Sequence, residues 1–336
     1  MTFNADAKIP VVVIFAPTAT GKTALALNIF GKSSHSFFKG KGELISADSM
    51  QVYKKLDIGT AKPDQQEQEE LTHHLIDILP YDAQFTVSDF VEKADVLCRE
   101  IISRGHIPVV AGGTGFYIRN FLLGLPKTPE SDPAIRQKLI ERAQKEGTLV
   151  LYHELETIDP QSAQKINPND EYRILRALEV FYITGKPRSS FEMNLELRDK
   201  FDFCTIILER NREELFERIN HRVDIMFEQG LQNEVLSLIA EGAGPDMPGM
   251  KAIGYREWFE FDYKTQEGLE KIRYNIKRNS RKYAKKQYTF MNDIPGAIRI
   301  DADSDNLEQK VIQIIENKFQ KHLSAIDLKL NLSNNM

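Results

Sequence analysis

Cysteine is scarce in this chain of 336 residues: there are two, Cys98 and Cys204. They are far apart and have no metal-ligand spacing. This excludes a disulfide framework or a zinc ribbon and predicts two buried thiols in a reducing compartment. No apolar run is long enough to span a bilayer, and the N-terminus leads directly into a strand pattern with no processed signal segment. No membrane partner and a cytoplasmic location are the resulting expectations. A strong positive charge is missing too. The net charge is -5, so the whole surface is not that of a basic nucleic-acid binder, and a local patch would have to make any such contact. Internal repeats and low-complexity blocks are absent. Hydrophobic residues make up 41%, enough for a sizeable core.

The stretch that organises the rest is IPVVVIFAPTATGKT, from Ile9 to Thr23. Val11 to Phe15 is a β-branched apolar run that suits a buried parallel strand. It passes through a turn, Ala16, Pro17, Thr18, Ala19, Thr20 and Gly21, into Lys22, Thr23 and the helical opening ALALNIF. A strand, a glycine-bearing turn and a helix make a phosphate cradle. Backbone N–H groups and the helix N-terminus face an anion, Lys22 adds a point charge, and Thr23 offers a hydroxyl to magnesium. The pattern G-x-x-x-x-G-K-[ST] has Ala16 at its first position, where a β-carbon requires ordinary right-handed or extended backbone.

Further strand patterns follow at Leu44 to Ala47, His73 to Leu79 and Ile107 to Ala111, with a helix over Thr86 to Ser103 and another over Phe116 to Leu123. The alternation predicts an α/β fold: a P-loop NTPase-like parallel sheet core with helices on both faces. The texture changes at Gly124-Leu125-Pro126, where strand character fades and polar amphipathic helices begin. The expected organisation is a first part of the core over 1–123 and a helical insertion domain over 124–200. The core then continues over 201–325 with basic C-terminal helices, and a frayed tail covers 326–336.

Candidate chemistry collects where strands end, the edge at which open α/β sheets bind ligands. Asp48, just past the second strand, reads either as a helix cap or as a catalytic carboxylate beside the phosphate site. Thr18, Thr20 and Thr114 suit a phosphate oxygen or a cap equally well. Asp77 reads as a turn residue or as a magnesium partner acting through water. His73 and His74 are adjacent, so in a strand they point to opposite faces, against a paired metal site. The helix around Lys271 to Lys286 holds eight basic residues and no acid, with Tyr274, Arg278, Arg281 and Lys285 on one face. This is either a solvated face or a contact to a phosphate backbone. Arg218 and Arg222 extend that patch or pair with Glu214 and nearby acids. An ATP-dependent kinase or hydrolase and a transferase of another phosphorylated molecule both stay open. The strand before Gly112 ends in glycines rather than in the acid that would favour the hydrolase.

Across residues 9 to 290 the chain resembles the tRNA dimethylallyltransferases, also called tRNA isopentenyltransferases. APTATGKT is similar to their GPTASGKT. DSMQVYKKLDIGTAKP, HHLIDI, GGTGFY, INPNDEYRILRALEVFYITGKP, RINHRVDIMFEQGLQNEV, AIGYREW and SRKYAKKQYTF resemble further blocks in the same order. The resemblance implies transfer of a dimethylallyl group from dimethylallyl diphosphate to N6 of adenosine 37 in the tRNA anticodon stem-loop, with Mg2+. It implies that Asp48 accepts the N6 proton. Thr18 and Lys22, with Thr23 on the metal, would hold the diphosphate, helped by Arg210. Thr114 and Arg136 would lie near the tRNA, as would Asp48, Ser49, Met50 and Gln51 and the run Tyr172, Arg173, Ile174, Leu175 and Arg176. A monomer is expected, with a prenyltransferase for free AMP or ADP as the alternative. Departures from the family pattern are Ala16, Thr20, Thr72, Glu209, Ser280 and Phe290. No zinc-finger tail is seen, as in the bacterial form.

Overall fold

The computed structural model describes residues 8–191 and 195–333, with side chains described up to residue 320. Six parallel strands form one sheet: β1 (Ile9–Phe15), β2 (Gly42–Ser46), β3 (His73–His74), β4 (Ile107–Gly112), β5 (Phe201–Glu209) and β6 (Ile298–Asp301), in the spatial order β3-β2-β4-β1-β5-β6. β1 lies between β4 and β5, with Ile14 opposite both Ala111 and Ile206. Its residues from Val11 to Phe15 are fully buried, which explains a run of apolar side chains without alternation.

The helices of this unit are α1 (Lys22–Phe30), α2 (Gln65–Glu70), α3 (Val87–Ser103) and α4 (Gly115–Leu123) before the insertion. The insertion itself holds α5 (Pro133–Glu146), α6 (Thr148–Ile158), α7 (Pro160–Ala163) and α8 (Glu171–Thr184). After it come α9 (Arg212–Glu228), α10 (Leu231–Ala240), α11 (Glu257–Glu260), α12 (Gln266–Asn292) and α13 (Leu307–Ser333).

Strand alternation sorts the two faces. Cys204, Ile206 and Leu208 join Leu25, Ile29 and Phe30 of α1 and Val311, Ile315 and Phe319 of α13 in one core. Phe201 and Phe203 turn the other way, onto Phe121 of α4, which meets Phe90 of α3. Thr86 caps α3 in a reciprocal capping box with Asp89.

The chain divides into a sheet unit, residues 1–123 and 197–336, and a helical unit, residues 124–196. The chain's return to the sheet unit is pinned there: Arg198 N–H donates to Leu122 O at 2.9 Å, and its guanidinium grips Asp95 with both Nη atoms at 2.8 Å. The helical unit has its own core of Leu139, Leu151, Leu155, Ile174, Leu175 and Leu178.

The structure differs from the sequence reading at four places. Only His73–His74 pairs as a strand; Leu75 and Asp77 have φ of +62° and +54°, which breaks the extended run expected as far as Leu79. Thr148 to Ile158 is an additional helix. β6 has little sequence signature, because three of its four residues are exposed and its pattern is weak. α13 runs to Ser333, across most of the tail expected to fray, and residues 334–336 lie outside the described residues.

Candidate active site

The loop after β1 owes its shape to two left-handed residues. Ala19 has φ +63° and Gly21 φ +106°, while Ala16 has no positive φ. Holding a non-glycine residue in that region costs on the order of 1–3 kcal/mol, typical of a loop fixed for binding. Gly21 is the N-cap of α1. It supplies no side-chain cap, and the first turn carries no acid. The first amides of α1 and its positive dipole end therefore meet whatever anion enters the loop.

Two neighbouring strand ends are bound to each other. Ala47 N–H donates to Ala111 O at 2.8 Å, and Thr114 N–H donates to Ala47 O at 3.1 Å. Gly112 has to be glycine here, since a β-carbon would stand 2.2 Å from Ala47 O. Asp48 follows directly, its Oδ1 accepting from Met50 N–H at 2.9 Å. Ser49 N–H donates to Thr114 Oγ1 at 3.0 Å.

These loops border a cavity of about 300 Å³. Thr18, Lys22 and Thr23 form one part of its wall, and Asp48, Ser49, Met50 and Gln51 another. Leu44, Ile219, Val223, Met226, Ile253 and Ile276 add an apolar surface. The cavity thus combines an anion cradle, a carboxylate and room for a short hydrocarbon.

Electrostatics sharpen the cradle. Burial, with Arg222 nearby, lowers the Lys22 ammonium to about 8, while Asp48 pulls the other way. Arg222 is lowered by burial too, again opposed by Asp48. The Tyr283 hydroxyl on the cavity wall is pushed up to about 12 by burial and by Asp48. It stays protonated at neutral pH.

The sequence candidates separate into groups. Thr18, Lys22, Thr23, Asp48, Ser49, Met50 and Gln51 come together on the cavity, and Thr114 is joined to them through Ser49. Arg210 does not reach the cavity wall. Its guanidinium is held by Glu214 and Asp303, with Nη2 3.4 Å from Thr20 O, so it braces the back of the loop. Its charge is already answered by Glu214 and Asp303. Asp77 is taken by Lys62, which Asp57 holds as well, and the acid is not among the residues lining the cavity.

In the helical unit Ile174 and Leu175 are buried at 0% and 2% exposure and belong to its core. Tyr172 is 71% exposed, with the Arg136 guanidinium 4.9 Å from its ring centroid. Arg136 and Arg176 meet the buried Glu179, and Arg173 pairs with Asp170. On α12, Arg278 and Lys285 are exposed, whereas Arg281 donates to Asn220 of α9.

Sequence reasoning named Arg218 and Arg222 without their role and missed Gln287 and Glu234. Arg222 Nη1 donates to Thr18 Oγ1 at 3.3 Å, and Arg218 Nε donates to Ala19 O at 3.0 Å. This pair serves the cradle and does not answer Glu214. Gln287, 2% exposed, accepts from Thr18 N–H at 3.1 Å. Glu234 accepts from the N–H groups of Asp57, Ile58 and Gly59 at 2.8 to 3.2 Å, fixing the GTAKP loop that lines the cavity. A signal for Gln287 existed: it is a polar residue on the buried stripe of α12 that holds Ile272, Ile276, Ala284 and Met291.

The family model for IPP transferase matches residues 51–293. The chain belongs to the IPP transferase family. Among relatives, a tRNA dimethylallyltransferase 2 of Geotalea uraniireducens is 41% identical over 290 residues, covering 86% of this chain and 91% of its own length. A tRNA dimethylallyltransferase of Geobacter sulfurreducens is 40% identical over 293 residues, covering 87% and 92%. Among solved structures, a eukaryotic dimethylallyltransferase described as acting on tRNA superposes with a TM-score of 0.78 at 29% identity, over 94% of this chain and 80% of that one. The tRNA isopentenylpyrophosphate transferase of Bacillus halodurans gives 0.63 at 34% identity, over 97% of this chain and all of its own. No helix of the described residues is long and apolar enough to cross a membrane.

Proposed function

We propose that the protein transfers the dimethylallyl group of dimethylallyl diphosphate to N6 of adenosine 37 in tRNA, releasing diphosphate. The observation that carries this reading is the union, on one cavity, of Lys22 and Arg222 with Asp48 and an apolar wall. The apolar wall suits a five-carbon hydrocarbon beside the phosphate cradle.

The N6 lone pair attacks the allylic C1 as the C1–O bond breaks, and that bond's electron pair leaves with the diphosphate. Lys22, Arg222 and the amides of the loop and of α1 hold the charge that develops there. Asp48 takes the N6 proton as the new C–N bond forms. A weak base suffices, because the N6 protons become acidic only as bonding develops.

The chemistry of the donor set fits magnesium. Thr23 offers a hard oxygen on the cavity, and no group of three or more acid, histidine or cysteine side chains that could hold a metal occurs among the described residues. Such a site suits an ion held mainly by phosphate oxygens and water. Thr23 would hold the ion, which neutralises leaving-group charge when bound.

The acceptor adenine leaves its loop stack to enter the cavity, which is cheaper from a single-stranded loop than from a duplex. The exposed cations of α12 supply contacts to the tRNA backbone, and the helical unit, by itself, offers Arg136, Tyr172 and Arg173 to RNA. The protein works as a monomer in this reading.

The test is incubation of purified protein with unmodified tRNA, dimethylallyl diphosphate and Mg2+, followed by nucleoside mass analysis. Prenylated adenosine from tRNA is expected. Preference for AMP or ADP over an anticodon stem-loop would overturn the acceptor, and brisk ATP cleavage without prenyl transfer would overturn the reaction.

A further inference from the structure

Gln287 has no part in the chemistry above, yet it touches both loops that frame it. It sits on α12, 2% exposed, with each end of its amide engaged. Oε1 accepts from Thr18 N–H at 3.1 Å, and Nε2 donates to Gly113 O at 2.7 Å. The first bond fixes the loop after β1 and the second the loop after β4. No other residue type does this as well: a carboxylate would face Gly113 O with an acceptor, and an apolar side chain would leave two buried backbone groups without partners.

Each bond continues toward the cavity. With its amide held, Thr18 presents Oγ1 to Arg222 Nη1. Beyond Gly113, Thr114 receives the Ser49 N–H beside Asp48. Gly113 itself is shaped by this contact, because a β-carbon there would stand 2.3 Å from Gln287 Nε2.

We infer that Gln287 is a positioning residue that holds the diphosphate loop and the acceptor-side loop in register, so that leaving group and proton acceptor meet one substrate pair at the right separation. The inference rests on the transfer reaction proposed above. Misplacement of reacting groups by about 1 Å costs on the order of 100-fold in rate, so a single amide in this place has large leverage. α12 also carries the exposed Arg278, Lys282 and Lys285, so one helix bears both the RNA-facing cations and the clamp on the donor loop.

The test uses the full chain and two kinds of variant. Gln287→Met keeps the length of the side chain and removes both hydrogen bonds. Its kcat should fall about 10- to 100-fold. Its tRNA dissociation constant should stay within about twofold of the parent value, a split that loss of folded protein would not produce. The second kind is a cycle of Gly113→Ala and Gln287→Ala. Gly113→Ala alone should lower kcat about tenfold or more, and in the Gln287→Ala background it should add less than about twofold, because the colliding amide is gone.

A folded Gln287→Met enzyme with parental kcat overturns the inference, and so do effects that simply multiply in the cycle. Should Gln287→Met fail to fold, the cycle alone decides. Absence of prenyl transfer by the parent protein would sink the proposed reaction itself. An active parent with indifferent Gln287 variants would sink only the clamp.

Discussion

Arg222 Nη1 stands 3.3 Å from Thr18 Oγ1, although the two residues are 204 positions apart in the chain. α9 thus completes the cradle that β1 and α1 begin. Arg222→Ala should raise KM for dimethylallyl diphosphate by about tenfold or more and leave tRNA affinity near the parent value, while Arg222→Lys should recover part of the loss. Steady-state kinetics with varied donor check this, and an unchanged donor KM would place the diphosphate elsewhere.

Asp48→Asn should fold, bind tRNA and lose about 100- to 10,000-fold in turnover, the usual range for removing a general base. Single-turnover prenylation measured beside a tRNA binding assay separates the two effects. A rate near that of the parent would assign the proton to another acceptor.

Lys22 gives a pH dependence of definite sign. Its ammonium is lowered to about 8, so the charged form that attracts diphosphate is lost as pH rises through that value. KM for the donor should therefore climb above about pH 8, and Lys22→Arg should shift that rise out of the accessible range. A flat donor KM between pH 7 and 9 in the parent would contradict the assignment.

Glu43 lies two residues into β2 and is 5% exposed. Burial would raise its carboxyl, but hydrogen bonds from Arg104, His74 and His106 outweigh that and bring it down to about 2. A depressed folded value stabilises the protein above the unfolded carboxylate range and loses that contribution as pH falls toward 2. Glu43→Gln should lower the melting temperature at pH 7 and narrow its gap from the parent between about pH 4.5 and 2. Melting curves across that range provide the check, and a pH-independent gap would refute it.

The basic helix predicts a salt effect. Arg278 and Lys285 are exposed, whereas Arg281 is occupied by Asn220. Replacing Arg278 and Lys285 together with alanine should weaken tRNA binding and reduce the slope of log K against log salt by about 1 to 2. Binding isotherms at several ionic strengths measure it, and an unaltered slope would move the RNA off α12.

Local pattern accounts for what the chain revealed before its structure. Val11 to Phe15 has β-branched apolar residues that suit a buried strand, and of the two residues able to cap α3, Thr86 and Ser88, the structure uses Thr86. Asp48 was legible because it ends a strand. Arg210, Arg222 and Gln287 were not, because their roles depend on which distant backbone each side chain meets. Arg210 sits in a motif position, yet Glu214 and Asp303 take its charge. Ile174 and Leu175 fell within a segment resembling an RNA-contacting one, and their burial follows from helical phase. β6 is an edge strand whose exposed residues leave little hydrophobic signature.

The uncapped first turn of α1 has one more consequence. Inorganic diphosphate keeps every oxygen by which that turn would recognise the donor, having lost only the isoprenoid. In the proposed reaction the released product therefore competes with the next donor molecule for that turn.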